Sequence, residues 1–186
     1  MTGLIEHYEL SLGPIRAGWT VDANGVRLPF QIVQFDGGPI EDMGTLVTLG
    51  YSNYRLRLAH SRIRQELMLF ARPKWIPANL PGILQQVALK AIDADLAIGV
   101  SEVLERRGEL IPGTGMVALY ALPPVYFPDD FHVVSSALHE DIFLVWLVPI
   151  TQKELNFVRT YGSEEFETTL ETVDPDLLDL SRESVV

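Results

Sequence analysis

The apolar run over residues 142–148 contains no polar position, which predicts a strand buried on both faces, since a half-exposed strand alternates. Pro149 is expected to end its ladder. Beyond it, Thr151 and Glu154 have Thr-x-x-Glu spacing, in which each side chain satisfies a backbone N–H of the other residue at a helix start. Leu155 and Val158 follow at helical spacing, Phe157 and Tyr161 form an adjacent stripe, and Gly162 suits the stop. Ser163 is expected to cap a further helix with Glu164 and Glu165 in its first turn, where the helix dipole favours negative charge.

Upstream, Leu4, Ile5, Tyr8 and Leu12 predict an amphipathic helix over 3–12, stopped by Gly13-Pro14. Turn residues around Asn24-Gly25, Pro29 and Asp36-Gly37-Gly38-Pro39 bracket a strand over 30–35. Further strands are expected over 46–49 and 66–71, with the arginine-rich stretch between them read as a ragged hairpin loop. Pro73, Pro77 and Pro81 punctuate the approach to the longest helix, whose stripe is Leu84, Val87, Ala88, Ala91 and Ile92 and which should break or bend at Gly99. A second helical turn or two is expected over 100–106, ending at Gly108, then a strand over 117–122. Residues 131–135 read equally as strand or loop. Strands in both halves, with helices between and after them, give an α+β fold with a mixed sheet.

At 186 residues and 47% hydrophobic composition, the chain fits one domain with its own core. The expected division is a single domain over 1–173 and an acidic tail over 174–186, whose early leucines pack and whose last residues are mobile. The absence of cysteine removes disulfides, thiolate metal sites and cysteine nucleophiles. Glu6 and Glu9 interrupt the first apolar stretch, unlike a signal peptide, and no window reaches about 18 apolar residues, so a cytoplasmic protein outside the membrane is expected.

The net charge of −11 argues against nucleic-acid binding, which needs cations to replace phosphate counterions, and favours a basic protein partner. Residues 139–186 hold eleven acids against three bases, whereas Arg55, Arg57, Arg62, Arg64, Arg72 and Lys74 surround the single acid Glu66. Oligomeric state is left open.

Candidate chemistry is sparse. His7, His60, His132 and His139 are scattered, with no HExxH pair; His132 and His139 with Asp129-Asp130 and Glu140-Asp141 would be the residues of a metal site, in a small hydrolase or metal-dependent enzyme. No GxSxG is present, and Gly113-Thr114-Gly115 lacks the spacing of a phosphate loop and reads as strand-turn glycines. Trp19, Trp75 and Trp146 read as packing residues. No cofactor is expected.

Taken in order, LVTLGYSNY over 46–54, the Glu-Leu-x-Leu element at Glu66, Leu67 and Leu69, Trp75-x-Pro77 leading into a helix, and FLVWLVPITQKELNF over 143–157 resemble the suppressor-of-fused domain family. The resemblance spans 30–171. It implies a mixed-sheet α+β domain that binds protein and has no recognised catalytic residues. Animal members restrain Gli-type transcription factors by gripping a peptide as an added strand between this kind of domain and a second one, for which this chain is expected to have no room. They also place an acidic residue in the loop before the Glu-Leu strand. Here that loop carries only Arg55, Arg57, His60, Arg62 and Arg64 besides Tyr54, so Gli-type recognition does not carry over.

Single-domain members of the family look bacterial, and many resemble immunity proteins that neutralise polymorphic toxins. On that resemblance the expected role is a non-enzymatic immunity protein whose acidic surface meets a basic toxin domain, gaining association rate and specificity from complementary charge. The contact candidates are Asp129, Asp130, Glu140 and Asp141 around one sheet end, and Glu164, Glu165, Glu167 and Glu171 on the final helix. The other readings are a regulatory or scaffold module using strand addition, which requires the 66–71 strand to be uncovered, and the small hydrolase above.

Overall fold

The apolar run 142–148 owes its burial to neighbours on both sides, for it forms the body of the last of nine strands, in the middle of a mixed sheet. The computed structural model describes residues 3–76, 79–136 and 139–186. Pro77, expected to help open the longest helix, lies outside them. Helix α1 (Leu4–Leu12) leads into strands β1 (Ile15–Val21), β2 (Arg27–Phe35), β3 (Gly44–Leu49), β4 (Leu56–Leu58) and β5 (Ser61–Ala71). Helix α2 (Leu80–Ala94) follows, then strands β6 (Val103–Glu105), β7 (Met116–Leu122), β8 (Val133–Ser136) and β9 (His139–Thr151), and helices α3 (Gln152–Tyr161) and α4 (Ser163–Val173). The sheet order is β1-β2-β3-β5-β9-β7-β6, with β4 added to β5 and β8 added to β9. Among the described residues β5 and β9 pair in parallel and the other neighbours are antiparallel. This is the expected α+β class. None of the described helices is long and apolar enough to cross a membrane.

Strand alternation sends successive side chains to opposite faces. Leu144, Trp146 and Val148 of β9 join Met68 and Phe70 of β5 beneath α1, α3 and α4, while Val145 and Leu147 join Leu67 and Leu69 beneath α2. Each such fully buried side chain contributes roughly 1.5–3 kcal/mol, so a sheet covered on both faces needs no staple. The capping box at α3 forms as its spacing predicts: the Glu154 N–H donates to Thr151 Oγ1 at 3.3 Å, and the Thr151 N–H to Glu154 Oε2 at 2.7 Å.

Several expectations are corrected. The arginine-rich stretch is an ordered hairpin: β4 pairs with the first third of β5 across a two-residue turn, Ala59-His60, with Ala59 at φ 50°. β1, hidden by its glycine and turn residues, is an additional edge strand with two irregularities in register. α2 stops well before Gly99, because Asp95 takes a left-handed conformation and its N–H closes on Ala91 and Ile92. Residues 103–105 are strand, so the helical turns expected over 100–106 are absent; three residues are too few to display a period. Pro149 lies inside β9, opposite Leu119, at a point where β9 no longer pairs with β5, so its missing N–H breaks no bond there. Gly162, rather than Ser163, precedes α4, and the Ser163 hydroxyl donates to the Ser101 carbonyl. Residues 131–135 resolve into a short turn of 3₁₀ helix over Asp129–Phe131 and the start of β8.

The segment after α4 differs most from the mobile tail expected of its last residues. β5 and β9 pair only from Arg64–Ile142 to Met68–Trp146, although each continues beside its other neighbour. Residues 176–186 lie along the opening that this leaves. The Arg72 N–H donates to the Leu178 carbonyl, Leu178 is buried on one face of the sheet, and Leu180 on the other. Asp176 accepts from Arg72, and Asp179 accepts from the Ser181 N–H and hydroxyl and from Trp75 Nε1. Those donors, the Ser181 N–H foremost, hold the Asp179 carboxyl down to about 2. Arg182 reaches the Pro149 carbonyl and forms a buried ion pair with Glu154.

Candidate protein-binding site

Below the Arg64–Ile142 pair the two central strands part again. β5 continues as one arm of the β4–β5 hairpin, and β9 begins as one arm of the β8–β9 hairpin. The Leu67 N–H points to the β3 side, toward Thr48 Oγ1, and the Leu144 N–H points to the β8 side. By alternation the backbone groups of Arg62 and the Asp141 N–H face into the fork without a ladder partner among the described residues, while the Asp141 carbonyl takes part in the Arg64–Ile142 pair.

Arginines line this fork because β4 and β5 alternate across a tight turn. Arg57 and Arg62 share Asp95, at 3.0 and 2.7 Å, and Arg55 and Arg64 share Glu140, at 2.6 and 3.3 Å. Arg62, hydrogen-bonded to Asp95, and Arg57 beside it hold that carboxyl below its ordinary range. Asp95 is placed by the same backbone turn that ends α2, and the chain beyond it is tied to β4 and β5: the Ala97 N–H donates to the Arg57 carbonyl, and the Gln65 amide bonds both the N–H and the carbonyl of Ile98. Glu140 thus bridges two arms that are otherwise unjoined.

Behind the fork lies Glu66, fully buried. Its carboxylate accepts from Thr48 Oγ1 at 2.5 Å, the Gly50 N–H at 2.9 Å, the Ser52 N–H at 3.0 Å and Ser52 Oγ at 2.7 Å. Gly50, at φ 94°, makes the left-handed step that turns two N–H groups onto one carboxylate. Burial pushes the Glu66 carboxyl up to about 6 against the pull of these four donors. Burial, and then the Glu66 charge, raises the hydroxyls of Tyr8 and Tyr51, neither of which has a hydrogen-bond partner among the described residues. A carboxyl poised near neutrality could serve as an acid or base, but Glu66 has no exposed atom through which to meet a substrate. Its work is to fix the turn that ends β3, and Arg64 adds a bond to the Ser52 carbonyl at 2.7 Å.

The expected contact acids are distributed over separate neighbourhoods. Asp129 and Asp130 are exposed on the turn before β8, which stacks on α1 through His7 and Phe131. Asp141 is exposed at the fork and Glu140 is held by the two arginines. On α4, Glu164, Glu165 and Glu171 are exposed, whereas Glu167 accepts from Ser101 Oγ and the Tyr120 hydroxyl, each at 2.6 Å, and so ties the helix to the sheet. The histidines do not converge. His7 Nε2 donates to the Phe131 carbonyl, His132 Nε2 to the Phe127 carbonyl, and His60 is exposed at the hairpin tip; the His139 side chain lies outside the described residues. Among the described residues no group of three or more His, Asp or Glu is arranged to hold a metal ion. The strand 66–71 is covered by β3 along one edge and, along the other, by β9 as far as Met68 and then by the segment after α4, which closes it to strand addition and leaves the fork as the interior opening.

The sequence profile of the suppressor of fused protein family matches residues 27–183, from the first residue of β2 to the segment after α4. The chain belongs to the suppressor of fused protein family. Solved structures share its fold. A suppressor of fused homologue from Neisseria gonorrhoeae superposes with a TM-score of 0.70 at 20% identity, over 97% of this chain and 93% of that one. A chain of the Sufu–Fu complex gives 0.71 at 13% identity, over 98% and 90%. Drosophila Suppressor of Fused gives 0.62 at 14% identity over 84% of this chain, which spans 43% of the Drosophila chain. No protein of curated function matches at the level of sequence. In this suppressor of fused chain, the Gly-x-Ser and Glu-Leu elements that carry the resemblance are two halves of one device, the turn Gly50–Ser52 folded onto Glu66.

Proposed function

We propose that this chain is a non-enzymatic protein-binding domain that takes an extended segment of its partner into the fork between the β4–β5 and β8–β9 arms. The observation that carries this reading is the facing edges where the ladder stops, the backbone groups of Arg62 on one arm and the Asp141 N–H on the other, which do not pair with each other. An added strand gains main-chain hydrogen bonds on both sides there. The Glu140 bridge that spans the fork consists of exposed ion pairs, each worth about 0–1 kcal/mol, so opening it costs little. Family membership and the likeness to a chain of the Sufu–Fu complex support a protein as the partner.

The role that fits best in the cell is immunity, with a basic toxin domain as partner and the cytoplasm as location. What favours it is the net charge of −11 together with Asp129, Asp130, Asp141, Glu164, Glu165 and Glu171, none of which has a side-chain partner among the described residues. Free carboxylates of this kind steer a basic protein toward the domain. Co-purification from the native source followed by a salt titration tests both readings. A stable partner whose association slows with salt supports the immunity role. A partner lost on mutating Arg62 to Pro, which blocks the fork-facing N–H, supports the fork; retention of the partner by that folded variant sinks it.

A further inference from the structure

The sheet has two outer edges, and they are unlike. β1 is interrupted by two register irregularities, which blunts pairing. β6 is short and regular. The Ala121 N–H donates to the Glu102 carbonyl, and the register Val103–Tyr120 and Leu104–Leu119 continues from it. Alternation therefore turns the backbone groups of Leu104 to β7 and those of Val103 and Glu105 outward, where no strand pairs with them among the described residues. Beside this edge, between β6 and α2, runs an apolar groove of about 470 Å³ whose walls include Val87, Ala91, Leu96, Leu104 and Leu110.

The side chains set the partner. All five residues 102–106 border that groove, but by alternation Glu102, Leu104 and Arg106 present their side chains on the α2 face, whereas the Val103 side chain packs toward the other face and Glu105 is held there by Arg159 of α3. We propose that β6 is a self-complementary edge at which two copies of this chain join their sheets about a two-fold axis through Leu104. Antiparallel pairing centred on Leu104 sets Val103 opposite Glu105 of the second copy, which is the pairing that the outward backbone groups of both residues require. In the same register Arg106 of each copy falls opposite Glu102 of the other, twice by symmetry, and the two Leu104 side chains meet in a close non-hydrogen-bonded pair with the two grooves running together. Arg106 has no ion-pair partner within its own chain among the described residues. The neighbourhood is also one where two acidic chains can approach: Lys90, Arg106, Arg107 and Arg159 offset Glu102, Glu105 and Glu109, against −11 for the whole chain. This edge is separate from the fork, so the proposed peptide site stays open in the dimer.

Charge exchange tests the register. Sedimentation of the wild-type protein over a wide dilution series is expected to show a dimer that dissociates on dilution. Arg106→Glu sets four carboxylates around the axis, and Glu102→Arg sets four cations there. Each is expected to raise the dimer dissociation constant about tenfold or more. An equimolar mixture of the two variants pairs Glu with Arg at both positions and is expected to dimerise as wild type does. Circular dichroism and the urea midpoint check folding; Arg106→Glu, at an exposed side chain, decides the matter should Glu102→Arg disturb the Gly99 N–H that Glu102 accepts. A wild-type protein that stays monomeric at its highest concentration overturns the proposal, as does an Arg106→Glu dimer of unchanged strength or a mixture no tighter than its components.

Discussion

Arg182 meets Glu154 inside the protein, Nη1 to Oε1 at 2.5 Å and Nη2 to Oε2 at 3.0 Å, with the side chains 6% and 0% exposed. Every other ion pair among the described residues has at least one partner about a third exposed. Burial alone would raise the Glu154 pKa; the hydrogen bonds and charge of Arg182 overcome it and hold the carboxyl below its ordinary range. Arg182→Ala is expected to cost about 3–5 kcal/mol in urea unfolding, because it strands a buried carboxylate. The double variant Arg182→Met, Glu154→Gln should recover part of that loss, and no recovery would mean that the contact acts through packing alone.

Glu66 predicts an unusual pH profile. Its folded pKa, about 6, lies above the ordinary 4.5, so the folded state holds the proton more tightly than the unfolded chain. The contribution is fully present below pH 4.5 and lost as pH rises through 6, on the order of 2 kcal/mol. Glu154 and Asp179 have lowered values and act oppositely, their contribution falling away in acid. Denaturation midpoints measured from pH 4 to 8 should therefore peak between about 4.5 and 6, and Glu66→Gln should flatten the descent above the peak. An unchanged slope in that variant would assign the descent elsewhere.

Ala59 holds a left-handed conformation, φ 50°, at the first position of the β4–β5 turn. Ala59→Gly removes the clash of its Cβ and is expected to stabilise the protein by about 0.5–1 kcal/mol, read as a higher melting temperature. A decrease would show that the hairpin is held by its arginine pairs rather than by its turn.

Glu140→Ala separates the arms of the fork. Stability should change by less than about 1 kcal/mol, since the Glu140 side chain is 51% exposed in both of its ion pairs. Binding of the co-purified partner, followed by titration calorimetry, should tighten if Glu140 occupies the place of a partner carboxylate between Arg55 and Arg64. Weaker binding would make Glu140 a contact residue instead.

Elements with a long period or a side-chain cap were legible in the sequence: the run 142–148, the Thr151–Glu154 box and the α2 stripe each declare themselves within a few residues. The 66–71 strand was legible too, and with it the family resemblance. Illegible were features decided by a single backbone angle or by distant partners. Asp95 ends α2 in a conformation more often left to glycine, and Ala59 turns a hairpin without one. Pro149 signals a strand end only if both neighbouring strands are still attached, and at that point β5 has left. The site divides likewise. Arginines 55 to 64 stood out as a charge cluster, but the fork depends on where β5 and β9 part, which no local pattern encodes. Glu167 looked like its exposed helix neighbours until Ser101 and Tyr120 claimed it.

The segment lying along the opening between β5 and β9 also bears on how the chain is made. Synthesis delivers residues in order, and a domain acquires its structure as they leave the ribosome. Here the central strand pair joins residues 64–68 to 142–146, so the sheet cannot close until residue 146 is out. Even then Glu154 waits for Arg182, and Arg72 for Leu178. A nascent chain stalled after α4 would expose a seam through the middle of its sheet with a buried-type carboxylate unpaired. Residues 176–186 therefore act as the latch of the fold, and a chain cut just after α4 should be cleared by proteolysis as readily as one cut far earlier.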